Sequence, residues 1–289
     1  MNNKEIKIIM QLKKNFRRSH SLDVNSLLKN QSSKMQYYMM DNLSSIKDYL
    51  RLAPQKIKIV VGALAKERAS ERCEFSASVW ATQTVEATFK PRFLSLEDWV
   101  LEYKELPSSS SYWLIIEEPL YDEKDLFKAV PVEEDFIIAL DHLTDPMNLG
   151  NILRTAAYFG IKKVLLPKDR QVRLTQSAYH ASAAALATSA VYYVTNLARV
   201  LEQLKEGGYW VLGADMSGES AADFKVHYAK KVLVLGNESN GISMLVKRCC
   251  DVKVGIKSSE TERIDSLNVT NAAAILIFQL ISVQQKQKV

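Results

Sequence analysis

From residue 135 onward, short and almost wholly apolar runs alternate with helical segments, and this rhythm restricts the fold more than any other feature of the chain. FIIALDHL, KKVLLP, VYYVT, YWVLGAD, KVLVLGNE and VKVGI read as strands, with NLGNILRTAAYFG, LTQSAYHASAAALATS, NLARVLEQLKEGG and SMLVKRC as helices among them. A strand with one wet face alternates apolar and polar side chains, whereas a strand apolar throughout must be covered on both faces. Helices that carry the chain back between such strands supply the cover, so the pattern predicts an α/β domain built on a parallel sheet. In sheets of this kind ligands bind beyond the carboxyl ends of the strands.

The residues that follow each strand are therefore the ones to read. After FIIALDHL comes Asn148, and six residues later Arg154, flanked by Ile152, Leu153, Ala156 and Ala157. Six residues do not share one helix face, so Asn148 is expected ahead of the helix proper. A guanidinium in an otherwise apolar helix either faces solvent or meets an anion at a cleft, and both readings stand. After KVLVLGNE the glycine-flanked turn Gly236 to Gly241 presents Glu238 just past a strand end. The stretch Ser266 to Ile281 opens with Ser266 and Asn268 and continues through Ala272, Ala273, Ala274, Ile275, Leu276, Ile277 and Phe278. It predicts a helix capped by Ser266 and buried on most sides, with its free N–H groups, Ser266 and Asn268 gathered at one end. That end is either a plain cap or the mouth of a site.

Several functions are disfavoured by what is missing. There is no G-x-G-x-x-G after the first strand, no P-loop, no H-E-x-x-H and no G-x-S-x-G. His20, His142, His180 and His227 show no metal-ligand spacing, and His142, beside a strand end, reads as a structural hydrogen-bonder. Cys73, Cys249 and Cys250 form no C-x-x-C, so reduced structural thiols are expected. No apolar run is long enough to span a bilayer and no secretory leader is visible, which predicts a cytoplasmic protein. The net charge of +5 permits a polyanionic partner.

The first half of the chain divides by composition. Residues 1–40 form a basic extension, with Lys4, Lys7, Lys13, Lys14, Arg17, Arg18, Lys29 and Lys34 against Glu5 and Asp23. It is either a solvated tail or an arm that contacts RNA phosphates. Residues 41–120 predict a small α/β domain: helix SSIKDYLRLA ended by Pro54, strand KIKIVVGAL, strands SVWATQT and YWLIIEEP, and helix SLEDWVLEYK opened by Ser95 and Asp98. Pro107 to Ser111 is a surface loop, residues 121–134 are the linker candidate, and residues 135–289 are the α/β domain.

Three of these segments also carry a resemblance. DPMNLGNILRTAAYFG, LVLGNESNGIS and SLNVTNAAAILIF are similar, in this order, to the signature motifs of the SpoU/TrmH branch of the SPOUT RNA methyltransferases, and the likeness extends through LLPKDR and VTNLAR between them. The resemblance implies methyl transfer from S-adenosylmethionine to a ribose 2′-hydroxyl of structured RNA, a homodimer, a C-terminal SPOUT sheet with a deep trefoil knot, and no need for a metal. It places the polar catalytic set on Asn148, Arg154, Glu238, Ser266 and Asn268, and the cofactor contacts on Gly213, Ala214, Gly236, Ile256 and Leu267. The N-terminal domain looks like the substrate-binding domain of the ribosomal-RNA enzymes of this branch, which favours ribosomal over transfer RNA. An RNA-binding assembly protein that has lost catalysis is the alternative from another class. This chain departs from the family pattern at KSSETERID after Ile256, where a proline is usual, at Ala214, where threonine is frequent, and at SSSSYW before the last N-terminal strand. Arg154 cannot be an ordinary base at neutral pH, since its pKa exceeds about 12. The resemblance implies that it acts on the hydroxyl or with the target phosphate.

Overall fold

A computed structural model of the chain describes residues 35–62, 92–95, 112–128, 132–225, 228–257 and 267–287. The chain divides into two compact units, Met1–Pro119 and Leu120–Val289.

In the first unit, β1 (Met35–Met40), α1 (Leu43–Leu52), β2 (Ile57–Gly62), β3 (Arg92–Ser95) and β4 (Tyr112–Pro119) form a sheet in the order β1-β4-β2-β3, in which only β2 and β3 run parallel. Asn42 opens α1 by accepting from the amides of Ser44 and Ser45. Pro54 closes it, because a residue before proline is pushed out of the helical region. Tyr49, Ile46, Ile115 and Ile116 fill the interior, and the buried Glu118 accepts from the Tyr49 hydroxyl at 2.8 Å and the Lys56 ammonium at 2.9 Å. Met35–Met40, expected inside the basic extension, is a strand paired with β4, because Tyr38, Met39 and Met40 are buried by that pairing. Ser95, expected to open a helix, ends β3. The basic stretch up to Lys34, the strand SVWATQT and the rest of SLEDWVLEYK lie outside the described residues.

The second unit contains β5 (Tyr121–Asp122), α2 (Glu123–Lys128), β6 (Asp135–Leu140), α3 (Pro146–Tyr158), β7 (Lys163–Pro167), α4 (Gln176–Ser182), β8 (Ala190–Val194), α5 (Leu197–Glu206), β9 (Trp210–Ser220), β10 (Lys230–Leu235), α6 (Met244–Cys249), β11 (Val252–Gly255) and α7 (Val269–Gln287). Its seven strands lie in the order β11-β9-β10-β6-β7-β8-β5, and every pairing is parallel. The parallel sheet expected from the strand pattern is thus present, with Ile137, Ile138, Val164, Leu165, Leu212, Val232, Leu233 and Val234 fully enclosed in its middle strands. One strand is additional: Tyr121–Lys128, expected as linker, is a two-residue edge strand on β8 and a helix that buries Leu126.

The segment expected as one helix from Leu174 stops at Ser182, where Ala183 and Ala184 adopt left-handed backbone (φ +47° and +63°), and a 3-10 turn, Ala185–Ala187, follows. The Ser182 hydroxyl donates to the Tyr179 carbonyl at 2.7 Å, which satisfies one of the carbonyls left open by the stop. The last helix also differs from expectation. α7 begins at Val269, and Asn268 caps it, its carboxamide oxygen accepting from the Thr270 amide at 2.8 Å and hydroxyl at 2.6 Å. Its buried stripe is Val269, Ala273, Leu276, Ile277 and Leu280, spaced as one face of a helix, while Ile275 and Phe278 are exposed. No helix among the described residues is long and apolar enough to cross a membrane.

Candidate active site

Asp145 accepts from the Met147 amide at 2.8 Å and Pro146 holds the first helical position, so α3 starts immediately after the loop that leaves β6. Asn148 accordingly lies in the first turn of α3 rather than ahead of it, and it is buried. Its amide donates to Glu238 Oε1 at 2.9 Å, and its carboxamide oxygen lies 3.4 Å from the Asn268 amide that points to it. One buried asparagine therefore joins three strand- or helix-end segments that are far apart in sequence.

The turn that carries Glu238 is fixed from inside. Asn237 and Gly241 exchange main-chain hydrogen bonds, both 2.9 Å, across the turn. The Asn237 side chain accepts from the amides of Ser239 and Asn240 and donates to the His142 carbonyl at 2.9 Å. A Cβ on Gly236 would stand 2.2 Å from the Gly241 carbonyl carbon, so that position admits no side chain without the turn moving, while Gly241 takes φ +65°, where a side chain has space but the backbone is strained. Thr144 and Asn237 both approach Glu238 Oε2 at 3.4 Å. Beneath the turn, the buried Asp141 accepts from the Ser243 amide at 2.7 Å and faces His142 Nδ1 at 2.7 Å. His142 holds this place with left-handed backbone, φ +61°. Its carbonyl accepts from Asn237, and its ring lies against Asp141 Oδ1, which receives no aligned hydrogen bond.

Four of the cofactor candidates lie just past the ends of β10 and β11 and where β9 leaves its partner β10. Gly213 is the last residue of β9 paired with β10, and Ala214 follows where β9 departs from that partner; Gly236 follows β10 and Ile256 follows β11. Gly213 is enclosed, and a Cβ there would lie 2.8 Å from the Cys250 sulfur. Ala214, Gly236 and Ile256 are half-buried, and Leu267, beside the capping Asn268, is exposed. The departing part of β9 is tied down by Asp215, which accepts from Lys247 of α6 at 2.5 Å and from Ser217. The Lys247 ammonium holds the Asp215 carboxyl well below the usual carboxylate range, with the Ser217 hydroxyl and amide adding to the effect. Burial pushes the thiols of Cys249 and Cys250 up to about 11, which keeps both protonated at neutral pH.

Three of the five polar candidates, Asn148, Glu238 and Asn268, thus form one hydrogen-bonded group. Ser266 lies outside the described residues. Arg154 is not in the group: it is exposed on the outer side of α3, in line with Met147, Asn151 and Tyr158, while Asn148, Leu149, Ile152, Leu153 and Ala156 are buried. Three residues of the network are not singled out by the sequence: Asp141, Thr144 and Asn237. Asn237 has a signal, since an asparagine four residues before a glycine in a turn is placed to bond its own following amides. Asp141 and Thr144 have none beyond their place after a strand.

The sequence profile of the SpoU rRNA methylase family matches residues 135–278. A Staphylococcus haemolyticus protein named "Putative TrmH family tRNA/rRNA methyltransferase" is 42% identical over 146 residues, 50% of this chain and 57% of that protein. A relative of the same family in Bacillus subtilis is 41% identical over 160 residues, 54% of this chain and 63% of its own length. The chain thus spans about three fifths of the length of the curated relatives it matches. Among solved structures, the SpoU methyltransferase AviRb from Streptomyces viridochromogenes, in complex with AdoMet, superposes with a TM-score of 0.67 at 19% identity, covering 92% of this chain and 98% of the other. At that identity the likeness concerns the fold.

Proposed function

We propose, from the membership of residues 135–278 in the SpoU rRNA methylase family, that this chain transfers a methyl group from S-adenosylmethionine to a ribose 2′-hydroxyl of structured RNA, with ribosomal RNA favoured over transfer RNA. The observation that carries the reading is the hydrogen-bonded joining of Asn148, Glu238 and Asn268, one from each of the three motifs, at the carboxyl ends of β6 and β10. The residues at the proposed cofactor loops fit the group chemically: Gly213, Ala214 and Gly236 are small, and Ile256 and Leu267 are apolar, a set that leaves backbone groups and apolar surface to an adenosyl moiety. When bound, S-adenosylmethionine supplies an already activated methyl group, so the protein's work is alignment, charge stabilisation and exclusion of water.

In this reading Asn148, Ser266 and Asn268 orient the ribose, and Glu238 fixes Asn148 and the turn. Arg154 binds the phosphate of the target nucleotide with both guanidinium nitrogens and stabilises alkoxide character as the hydroxyl proton leaves to phosphate or water. Arg154 shares its exposed helix face with Met147 and Tyr158, and Ile275 and Phe278 of α7 are exposed as well. A homodimer through this apolar face would place Arg154 at the seam between copies. The reading also entails a C-terminal knot, a cytoplasmic location and an RNA-docking role for the first unit. Mass-spectrometric mapping of ribose methylation in RNA from cells with and without the protein tests it. One 2′-O-methyl nucleotide is expected to disappear, in ribosomal RNA; loss from transfer RNA would change the substrate, and no loss at all would overturn the activity.

A further inference from the structure

We propose that the loop between β7 and α4, residues 168–173, grips the phosphates of the RNA strand that flanks the reacting nucleotide. The inference rests on the RNA-methylation reading and adds where on this chain the strand is held.

β7 runs parallel to β6, so the loop leaves the sheet at the same end as Asp141 and His142. It is stapled to the segment that leads into α3: the Val172 amide donates to the Leu143 carbonyl at 2.7 Å, and the Leu143 amide donates to Gln171 Oε1 at 2.7 Å. A third bond, from the Lys168 amide to the Val194 carbonyl at 2.9 Å, ties its start to the end of β8. Arg170 is held between these anchors with left-handed backbone, φ +53°, a conformation costly for a residue with a side chain and kept only where the surroundings enforce it.

This fixed loop exposes Lys168, Arg170 and Arg173, with Asp169 the one acid among residues 168–173. None of the three cations makes an ion pair among the described residues. Elsewhere in the same unit cations do find carboxylates: Lys163 with Asp135, Arg199 with Glu123, Lys205 with Asp251 and Lys247 with Asp215. Three cations on one short ordered loop, against the single carboxylate of Asp169, leave a positive excess that no ion pair among the described residues offsets. They are arranged for a polyanion that arrives from outside, and a backbone already ordered loses little entropy when it does. Two of the three are arginines, whose planar fork suits phosphate oxygens. The loop is bonded to Leu143, five residues before Asn148, which makes a nucleic-acid backbone running past the site the polyanion in reach.

The test compares two double variants that each remove two positive charges: K168Q/R173Q in the loop, and K162Q/K230Q at the opposite ends of β7 and β10. Binding to protein-free large-subunit ribosomal RNA transcripts is measured between roughly 50 and 200 mM salt, a range over which phosphate contacts separate clearly. S-adenosylmethionine binding is measured by calorimetry on the same samples. K168Q/R173Q should bind RNA at least ~10-fold more weakly than K162Q/K230Q, and the log–log salt slope should fall by roughly 1.4–1.8, the release expected for two phosphates. Cofactor affinity and kcat at saturating RNA should be unchanged, with KM for RNA raised. Arg170→Asn, which tolerates the left-handed backbone, should give about half the slope change. Equal affinity and slope in the two double variants would overturn the loop assignment, as would wild-type protein that binds RNA with no salt dependence. If the slope changes as expected but no variant transfers a methyl group, the loop assignment stands and the catalytic reading is what fails.

Discussion

The two ends of the seven-stranded sheet are built from similar residue types and treat them differently. At the amino ends, Asp135 accepts from the Lys163 ammonium at 2.5 Å and the Tyr209 hydroxyl at 2.6 Å, and Asp251 accepts from Lys205 and from the Val211 amide, both at 2.9 Å. Lys231, 2% exposed, donates to the Tyr228 carbonyl and lies over the Phe136 ring. Burial, and then the bond to Asp135, raises the Tyr209 pKa well above that of a free phenol. At the carboxyl ends of β6 and β10 the carboxylates of Asp141 and Glu238 are held by amides, with the His142 ring against Asp141, rather than by lysine or arginine. Beside them His142 and Arg170 carry left-handed backbone, and Lys168, Arg170 and Arg173 pair with no acid among the described residues. Polar groups that satisfy one another close a structure. Polar groups held in place with bonding capacity left over, on strained backbone, mark where something else must bind.

Substitutions at the two ends, and on the helix that leads from one to the other, should affect rate and stability differently. The largest effect is expected from Arg154→Ala: methyl transfer should fall at least about a hundredfold, the loss of roughly 3 kcal/mol of transition-state stabilisation, with thermal stability and cofactor affinity nearly unchanged. Arg154→Lys should recover little, because it keeps charge and loses the two-point grip. Single-turnover methylation decides, and an alanine variant with more than about a tenth of the wild-type rate makes Arg154 an ordinary surface residue. Next comes Glu238→Gln, which keeps the shape of the side chain but presents Asn148 with an amide that can no longer anchor it by charge. A rate loss of about tenfold, with Tm lowered by no more than a few degrees, is expected.

At the amino ends the order should reverse. Tyr209→Phe removes the hydroxyl bonded to Asp135 and should cost about 1 kcal/mol, a fall in Tm of about 2–4 °C by calorimetry, with methyl transfer at 25 °C untouched. A rate change there would show that the two ends are not separable. The smallest effect is assigned to Asp215→Asn and depends on pH. Because the folded state lowers the Asp215 pKa, the stabilisation is present above the ordinary carboxylate pKa near 3.8 and is lost as pH falls toward the lowered value. The Tm gap between wild type and Asp215→Asn should therefore be open at pH 7 and narrower at about pH 3.5; a gap that widens on acidification would contradict the sign.

Much of this architecture is legible in the amino-acid sequence. The strands β6 to β11 can be read because a strand covered on both faces leaves a continuous apolar run, and α1 and α5 can be read from their caps and helical spacing. β5 escapes such a reading because two residues on a sheet edge, followed by four charges in six positions, look like a linker. β1 escapes it because a charge count over forty residues averages away the apolar run Tyr37–Met40 at its end. The start of α7 falls three residues from its expected place because a serine and an asparagine both suit a cap, and only the packed backbone selects which side chain reaches the free amides.

The sequence by itself determined the sheet, its parallel sense, the order of the three motifs and the identity of the polar residues within them. Local periodicity and composition carry that much, because the forces behind them act over a few residues. Which of those residues meet was decided only by tertiary structure. Asn148 reaches Glu238 across 90 positions and Asn268 across 120, and no spacing rule spans such distances. Asn148 and Glu238 meet because β10 pairs with β6, which sets the turn after one strand against the first turn of the helix after the other, and Asn268 joins them because α7 packs on α3. The same packing turned Arg154 outward, since the apolar residues around it buried one face of α3 and left the guanidinium on the other.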